Sequence, residues 1–209
     1  MSGHPDASAS RYGPGTALVV VDMQVDFGSP DGGLYVKGGE ETIPVVNKEI
    51  ATAVAAGSPV FYTRDWHPPV TRHFAKDGAI WPVHCVAGTA GAELLPGLHL
   101  QGTLVHKGIT GEDGYSGFMM RDPDSGETGP TELEELLQQQ DVTSIIVVGL
   151  AGDYCVKETA LDGVRLGYDV TVPLEATRFV NLKPGDDGQA AADMAAAGVH
   201  IEGELPTVA

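Results

Sequence analysis

The sequence predicts an α/β fold, a three-layer α/β/α sandwich on a mostly parallel central sheet, and three observations carry that prediction. Short apolar, β-branched runs recur along the chain. They are continuous rather than alternating, as strands covered on both faces must be. Segments of helical apolar spacing, roughly 10–15 residues long, separate them, which is the pattern of βαβ units.

The first strand is Ala17-Leu18-Val19-Val20-Val21, which stops at Asp22. A Gly/Pro/Asp-rich turn from Gly28 to Gly39 leads to a helix over Glu40 to Ala56, with Ile43, Val46, Ile50 and Val54 at mostly helical spacing and Gly57-Ser58-Pro59 as its stop. The strand Val60 to Thr63 then ends in Arg64-Asp65, and Leu104 to Lys107 gives a third. Thr131 and Glu134 have the spacing of a capping box and open a helix to about Gln140. Ser144 to Leu150 is the clearest buried strand, followed by a helix from Cys155 to Leu166 and a strand from Asp169 to Leu174. The Ala-rich stretch Gln189 to Ala197 is a last helix, before a short strand at Val199 to Ile201. The expected organisation is a flexible tail over 1–15 and a single domain over 16–209, with no internal repeat.

Composition narrows the function. With 209 residues, 42% of them hydrophobic, the chain can bury a real core. Its 29 acidic against 12 basic residues give a net charge of −17. A surface of that sign repels phosphate backbones and anionic headgroups, so neither nucleic acid nor membrane is an expected partner. Two cysteines, Cys85 and Cys155, are too few for a disulfide framework, and no signal peptide or membrane span is legible, which fits a reduced, cytoplasmic setting. Homo-oligomerisation is left open.

Open parallel sheets expose their functional groups at the carboxyl ends of strands. Asp22, Asp65 and Lys107 stand at three such ends, and Cys155 lies just past a fourth. Cys155 opens a predicted helix, whose positive end would favour the thiolate, with Lys107 assisting and Asp22 available as proton acceptor. The plain alternative is a buried, inert cysteine. A second group is Asp65-Trp66-His67: residues i and i+2 on extended chain point the same way and can present two ligands to one ion. One or both of His73 and His84 would complete a carboxylate/imidazole set suited to zinc, iron or manganese. The alternative is a set of surface histidines in a polar loop. Cys85 reads as structural, and His4, His99, His106 and His200 belong to no constellation.

Four blocks of sequence carry a resemblance. They are Val20-Val21-Asp22-Met23-Gln24-Val25-Asp26-Phe27, Thr63-Arg64-Asp65-Trp66-His67-Pro68, Trp81-Pro82-Val83-His84-Cys85-Val86-Ala87-Gly88-Thr89 and Gly149-Leu150-Ala151-Gly152-Asp153-Tyr154-Cys155-Val156. Lys107-Gly108 and Gly114-Tyr115-Ser116-Gly117-Phe118 extend it. Over about residues 16 to 181 the chain resembles the nicotinamidases, within the isochorismatase-like cysteine hydrolases. That resemblance implies an isochorismatase-like hydrolase fold and cleavage of nicotinamide, or the similar pyrazinamide, to the acid and ammonia through a cysteine thioester. It implies Cys155, Asp22 and Lys107 as a catalytic triad, with the backbone N–H groups of Ala151 and Cys155 as the oxyanion hole. It further implies Asp65, His67 and His84 as metal ligands with His73 as a variable further one, and Phe27, Trp81 and Tyr115 around the pyridine ring. A cis Leu150–Ala151 peptide follows from it too. Zinc is the first choice of metal, iron or manganese the next. A carbamoyl- or ureido-directed amidase, or a metal-free isochorismatase-like hydrolase, is the competing reading. The Gly/Asp/Pro-rich insertion from Arg121 to Pro130 departs from the pattern and has no assigned role.

Overall fold

A computed structural model describes residues 11–207. Its main sheet is built of parallel strands in the order β3-β2-β1-β6-β7-β9, where β1 is Thr16–Val21, β2 Val60–Asp65, β3 Thr103–Lys107, β6 Ser144–Leu150, β7 Asp169–Pro173 and β9 His200–Glu202. A two-residue strand β8, Thr177–Arg178, pairs with the end of β6. The remaining strands, β4 (Met119–Arg121) and β5 (Thr128–Pro130), form a separate antiparallel hairpin.

Period-two alternation divides the core. Ala17, Val19, Val21, Ile145 and Val147 face one apolar cluster, which α3 (Leu133–Gln138), α4 (Cys155–Arg165) and α5 (Asp186–Ala196) cover through Leu133, Leu137, Val156, Ala160 and Met194. Leu18, Val20, Ile146 and Val148 face the other, covered by Val46, Ile50 and Ala53 of α2 (Ile43–Ala55). Both faces of the sheet are therefore buried, which is why the strands read as unbroken apolar runs.

The chain moves outward from β1 to β2 and β3, then returns to lay β6 on the other side of β1. That reversal opens a crevice at the carboxyl ends of β1 and β6, the place where such sheets bind ligands. Gly149 at the end of β6 has φ +114, and a Cβ there would lie 2.1 Å from the Val21 carbonyl oxygen, so only glycine lets β6 turn away so close to β1.

The structure changes or adds to the sequence reading at four points. The helix expected from Thr131 begins at Leu133, and no capping box forms: the Thr131 hydroxyl accepts the Leu133 N–H and donates to the Gly117 carbonyl, while Glu134 accepts from Gln138. The insertion from Arg121 to Pro130 is largely the β4–β5 hairpin. A single-turn helix, α1 (Val25–Gly28), follows β1 where the sequence reading assigned no element. Of the expected tail, residues 1–10 lie outside the described residues. Residues 11–15 pack against the domain: Tyr12 is buried and donates to Glu49 at 2.6 Å, and Arg11 pairs with Glu49 at 2.7 Å and with Glu202.

Candidate active site

Strand register assembles the first cluster. Asp65 and Lys107 are direct partners in the β2–β3 ladder, and Asp22 follows Val21, which pairs with Thr63 on one side and Gly149 on the other. Lys107 Nζ donates to Asp22 Oδ2 at 2.7 Å, lies 3.1 Å from Asp65 Oδ1 and 3.8 Å from Cys155 Sγ, and also donates to the Tyr115 carbonyl at 3.1 Å. Thr63 Oγ1 donates to the other Asp22 oxygen at 2.7 Å. Asp22, Lys107 and Cys155 are all buried. Cys155 is the first residue of α4, reached through the cis Leu150–Ala151 peptide. The amide N–H groups of Ala151 and Cys155 have no protein partner among the described residues.

The electrostatics correct one expectation. Burial pushes the Cys155 thiol up, and Asp22 and Asp65 add to that push, so the helix N-terminus and Lys107 do not produce a resting thiolate. Both carboxylates thus favour the protonated thiol. Burial likewise raises the Asp22 carboxyl, against the pull of Lys107. Burial opposes the Lys107 charge, but the two carboxylates and the thiol outweigh it and hold the ammonium well above its usual range.

The second cluster faces the first across Asp65. Ligand-capable atoms of His67, His73 and His84 lie within 4.8 Å of one another, and Asp65 Oδ2 lies 3.6 Å from His67 Nε2 and 4.0 Å from His84 Nε2. All four side chains are buried. The hydrogen-bond inventory tests whether a cation fits. His84 Nδ1 faces the Pro82 carbonyl at 2.7 Å, an acceptor only, so it carries the ring proton; burial holds the ring pKa down at about 4. His73 Nδ1 faces Asp113 Oδ1 at 2.7 Å, and that hydrogen bond, with Arg121, holds Asp113 down at about 2, so the carboxylate too can only accept. The Nε2 lone pair of neutral His84 therefore points at His73 Nε2 from 3.3 Å. Both nitrogens of His67 lack a hydrogen-bond partner among the described residues. Buried lone pairs converging beside a carboxylate repel unless a cation sits among them. The three histidines suit a divalent metal.

Between the clusters lies a largely apolar pocket lined by Phe27, Trp81, Tyr115 and Tyr154 together with Cys155, His73 and His84. Trp81, Tyr115 and Tyr154 meet edge to face, with centroids 5.1 to 6.4 Å apart, and Trp81 Nε1 donates to the Tyr115 hydroxyl at 3.0 Å. Phe27 packs on the His84 ring at 5.3 Å.

Sequence reasoning missed Tyr154, Leu34, Val36 and Val180, which complete the lining. It also missed two supports. Gln24 accepts the Asp65 N–H and donates to the Asp65 and Ala92 carbonyls, each at 2.8 to 2.9 Å, and Asp26 accepts the Cys85 N–H at 2.7 Å. Their place in the first sequence block was the available signal. Cys85 is fully buried and, like Cys155, free. His106 accepts from Arg64 at 2.9 Å and His200 pairs with Asp169 at 3.1 Å, both away from the pocket lining; His4 lies outside the described residues.

Comparison with known proteins adds an independent line. Residues 16–202 match the family described as the Isochorismatase domain. The nicotinamidase of Escherichia coli is 37% identical over 206 residues, covering 90% of this chain and 94% of its own. Among solved structures, the pyrazinamidase of Pyrococcus horikoshii in complex with zinc superposes with a TM-score of 0.80 at 36% identity, covering 90% of this chain and 98% of its own. A protein from L. infantum in complex with nicotinate gives a TM-score of 0.80 at 36% identity, covering 90% and 92%.

Proposed function

The chain belongs to the Isochorismatase-domain family, and from that premise we propose that it is an amidohydrolase converting nicotinamide to nicotinate and ammonia, with pyrazinamide as a second substrate. The observation that carries this reading is a buried ammonium, Lys107, hydrogen-bonded to Asp22 and 3.8 Å from the sulfur of Cys155, which lines a pocket together with His73 and His84.

An amide resists hydrolysis because its nitrogen is a poor leaving group and its carbonyl is resonance-stabilised. Asp22 takes the thiol proton as Cys155 sulfur bonds to the carboxamide carbon, so a free thiolate need not accumulate in a site that disfavours it. The carbonyl π pair moves to oxygen, where the Ala151 and Cys155 N–H groups donate to the oxyanion; each such donor is worth about 2.7–4 kcal/mol. When the C–N bond breaks, the proton on Asp22 goes to nitrogen and ammonia leaves, giving a thioester. Water then adds to the thioester carbon, giving one proton to Asp22; the thiol departs with that proton, and the acid so formed yields its remaining proton to solvent as nicotinate. Lys107 keeps its charge throughout and offsets the repulsion between Asp22 and Asp65.

The aromatic walls of Phe27, Trp81 and Tyr115 hold the ring. Asp65, His67, His73 and His84 would hold a divalent transition metal, zinc before iron or manganese, which supplies a Lewis-acidic partner for the ring nitrogen. Support comes from the converging lone pairs and from the zinc complex of the Pyrococcus horikoshii relative.

Ammonia release from nicotinamide by the purified protein tests the proposal. Cys155→Ala should abolish release while leaving the fold and metal content unchanged. Turnover retained by that variant would refute the thioester route.

A further inference from the structure

The β4–β5 hairpin, which the reaction leaves unused, reaches the histidine cluster through one residue. Asp113 sits in the loop after β3, and its backbone pairs with Arg121 of β4 in both directions: Asp113 N–H to the Arg121 carbonyl at 2.7 Å and Arg121 N–H to the Asp113 carbonyl at 2.6 Å. Its side chain is held at three points. Oδ1 accepts the Gly114 N–H at 2.9 Å and faces His73 Nδ1 at 2.7 Å, while Oδ2 pairs with Arg121 Nη2 at 3.2 Å. Two flanking contacts tie the same pair of segments, Thr71 Oγ1 donating to the Gly111 carbonyl at 3.0 Å and Arg72 pairing with Asp124 at 2.6 Å.

We infer that Asp113, braced by Arg121, is a positioning residue that keeps the proton of His73 on Nδ1 and its Nε2 turned toward His84, making His73 a standing metal ligand in this chain. A ring nitrogen can ligate only through a lone pair, and the hydrogen bond on the opposite nitrogen decides which one is free. Without a fixed acceptor at Nδ1, His73 can place its proton on Nε2 and hydrogen-bond His84 across the site, which removes both donors from an incoming ion. The hairpin supplies the brace, since it fixes both the backbone and the charge partner of Asp113. The inference rests on the metal reading above.

Metal affinity of the chelator-stripped protein, measured by competition for Zn²⁺ and by titration with Co²⁺, tests it without reference to turnover. Asp113→Ala should weaken binding roughly 10–100-fold, and His73→Ala at least as much. The double variant should bind no more weakly than His73→Ala alone, because the second change acts only through the first. Long-range ¹H–¹⁵N spectra of the metal-free protein should show His73 protonated at Nδ1, with that signature lost in Asp113→Ala. Should Asp113→Ala not fold, Asp113→Asn, which keeps an acceptor for the Gly114 amide but not the charge, carries the same expectation at the smaller end. Wild-type affinity in the Asp113 variants, or losses that multiply in the double variant, overturns the inference while leaving the metal reading intact. A wild-type protein that binds neither ion overturns both.

Discussion

Asp22, Lys107 and Cys155 stand at the ends of β1 and β3 and on the first residue of α4, where ladder register and two apolar clusters locate them. His67, His73 and His84 stand on the stretch between β2 and β3, which holds no strand or α-helix among the described residues. That stretch is held by isolated main-chain bridges, His67 with Val86 and Phe74 with Trp81, and by single side chains, Asp26 at Cys85 and Asp113 at His73. The comparison teaches that two halves of one pocket can have unequal robustness. Cooperative main-chain bonding is hard to disturb by one substitution, whereas a loop held by a few buried hydrogen bonds is not.

Substitution at the shared boundary should have the largest effect. Lys107→Met leaves Asp22 and Asp65 buried without their common counter-charge, so it should cost about 3–5 kcal/mol in denaturant unfolding and abolish ammonia release. A variant of wild-type stability would mean that the two carboxylates tolerate each other unaided. Metal removal should separate the halves. Exhaustive chelation is expected to raise KM for nicotinamide or abolish turnover, while the rate of Cys155 alkylation by a neutral electrophile stays within about twofold, since the thiol is placed by the start of α4 and not by the histidine stretch. A large change in alkylation would show that the halves are not independent. A smaller effect should come from Gly108→Ala. Gly108 has φ +70, and a Cβ there would lie 2.5 Å from His67 Nδ1, so the ring must shift. Metal affinity should fall severalfold with a stability loss of about 1–3 kcal/mol, and unaltered affinity would take His67 out of the ligand set.

The same division explains what could be read from sequence. Asp22, Asp65 and Lys107 were legible because each ends an apolar run, and a parallel sheet gathers such ends on one rim. The central strands were legible as unbroken apolar runs, and α2 and α4 from helical period. The hairpin was not: Met119–Arg121 and Thr128–Pro130 are three-residue strands separated by Asp, Pro, Ser and Gly, too short to show alternation. Asp113 is one acid among several in a polar segment, and nothing local marks it as the partner of a histidine forty positions earlier. Leu34, Val36 and Val180 reach the pocket from loops, where apolar residues carry no period. The upward push of burial on the Cys155 thiol was not legible, because helix position is visible in a sequence and total burial is not.

Thr63 and Lys107 each occupy one oxygen of Asp22. A carboxylate anchored at both corners is a fixed post rather than a swinging arm, so it cannot follow a departing group across the cavity. Thiol, leaving nitrogen and incoming water must each come to the same spot in turn. In the proposed reaction the chemistry would thereby be single-file, with ammonia vacating its berth before water takes it.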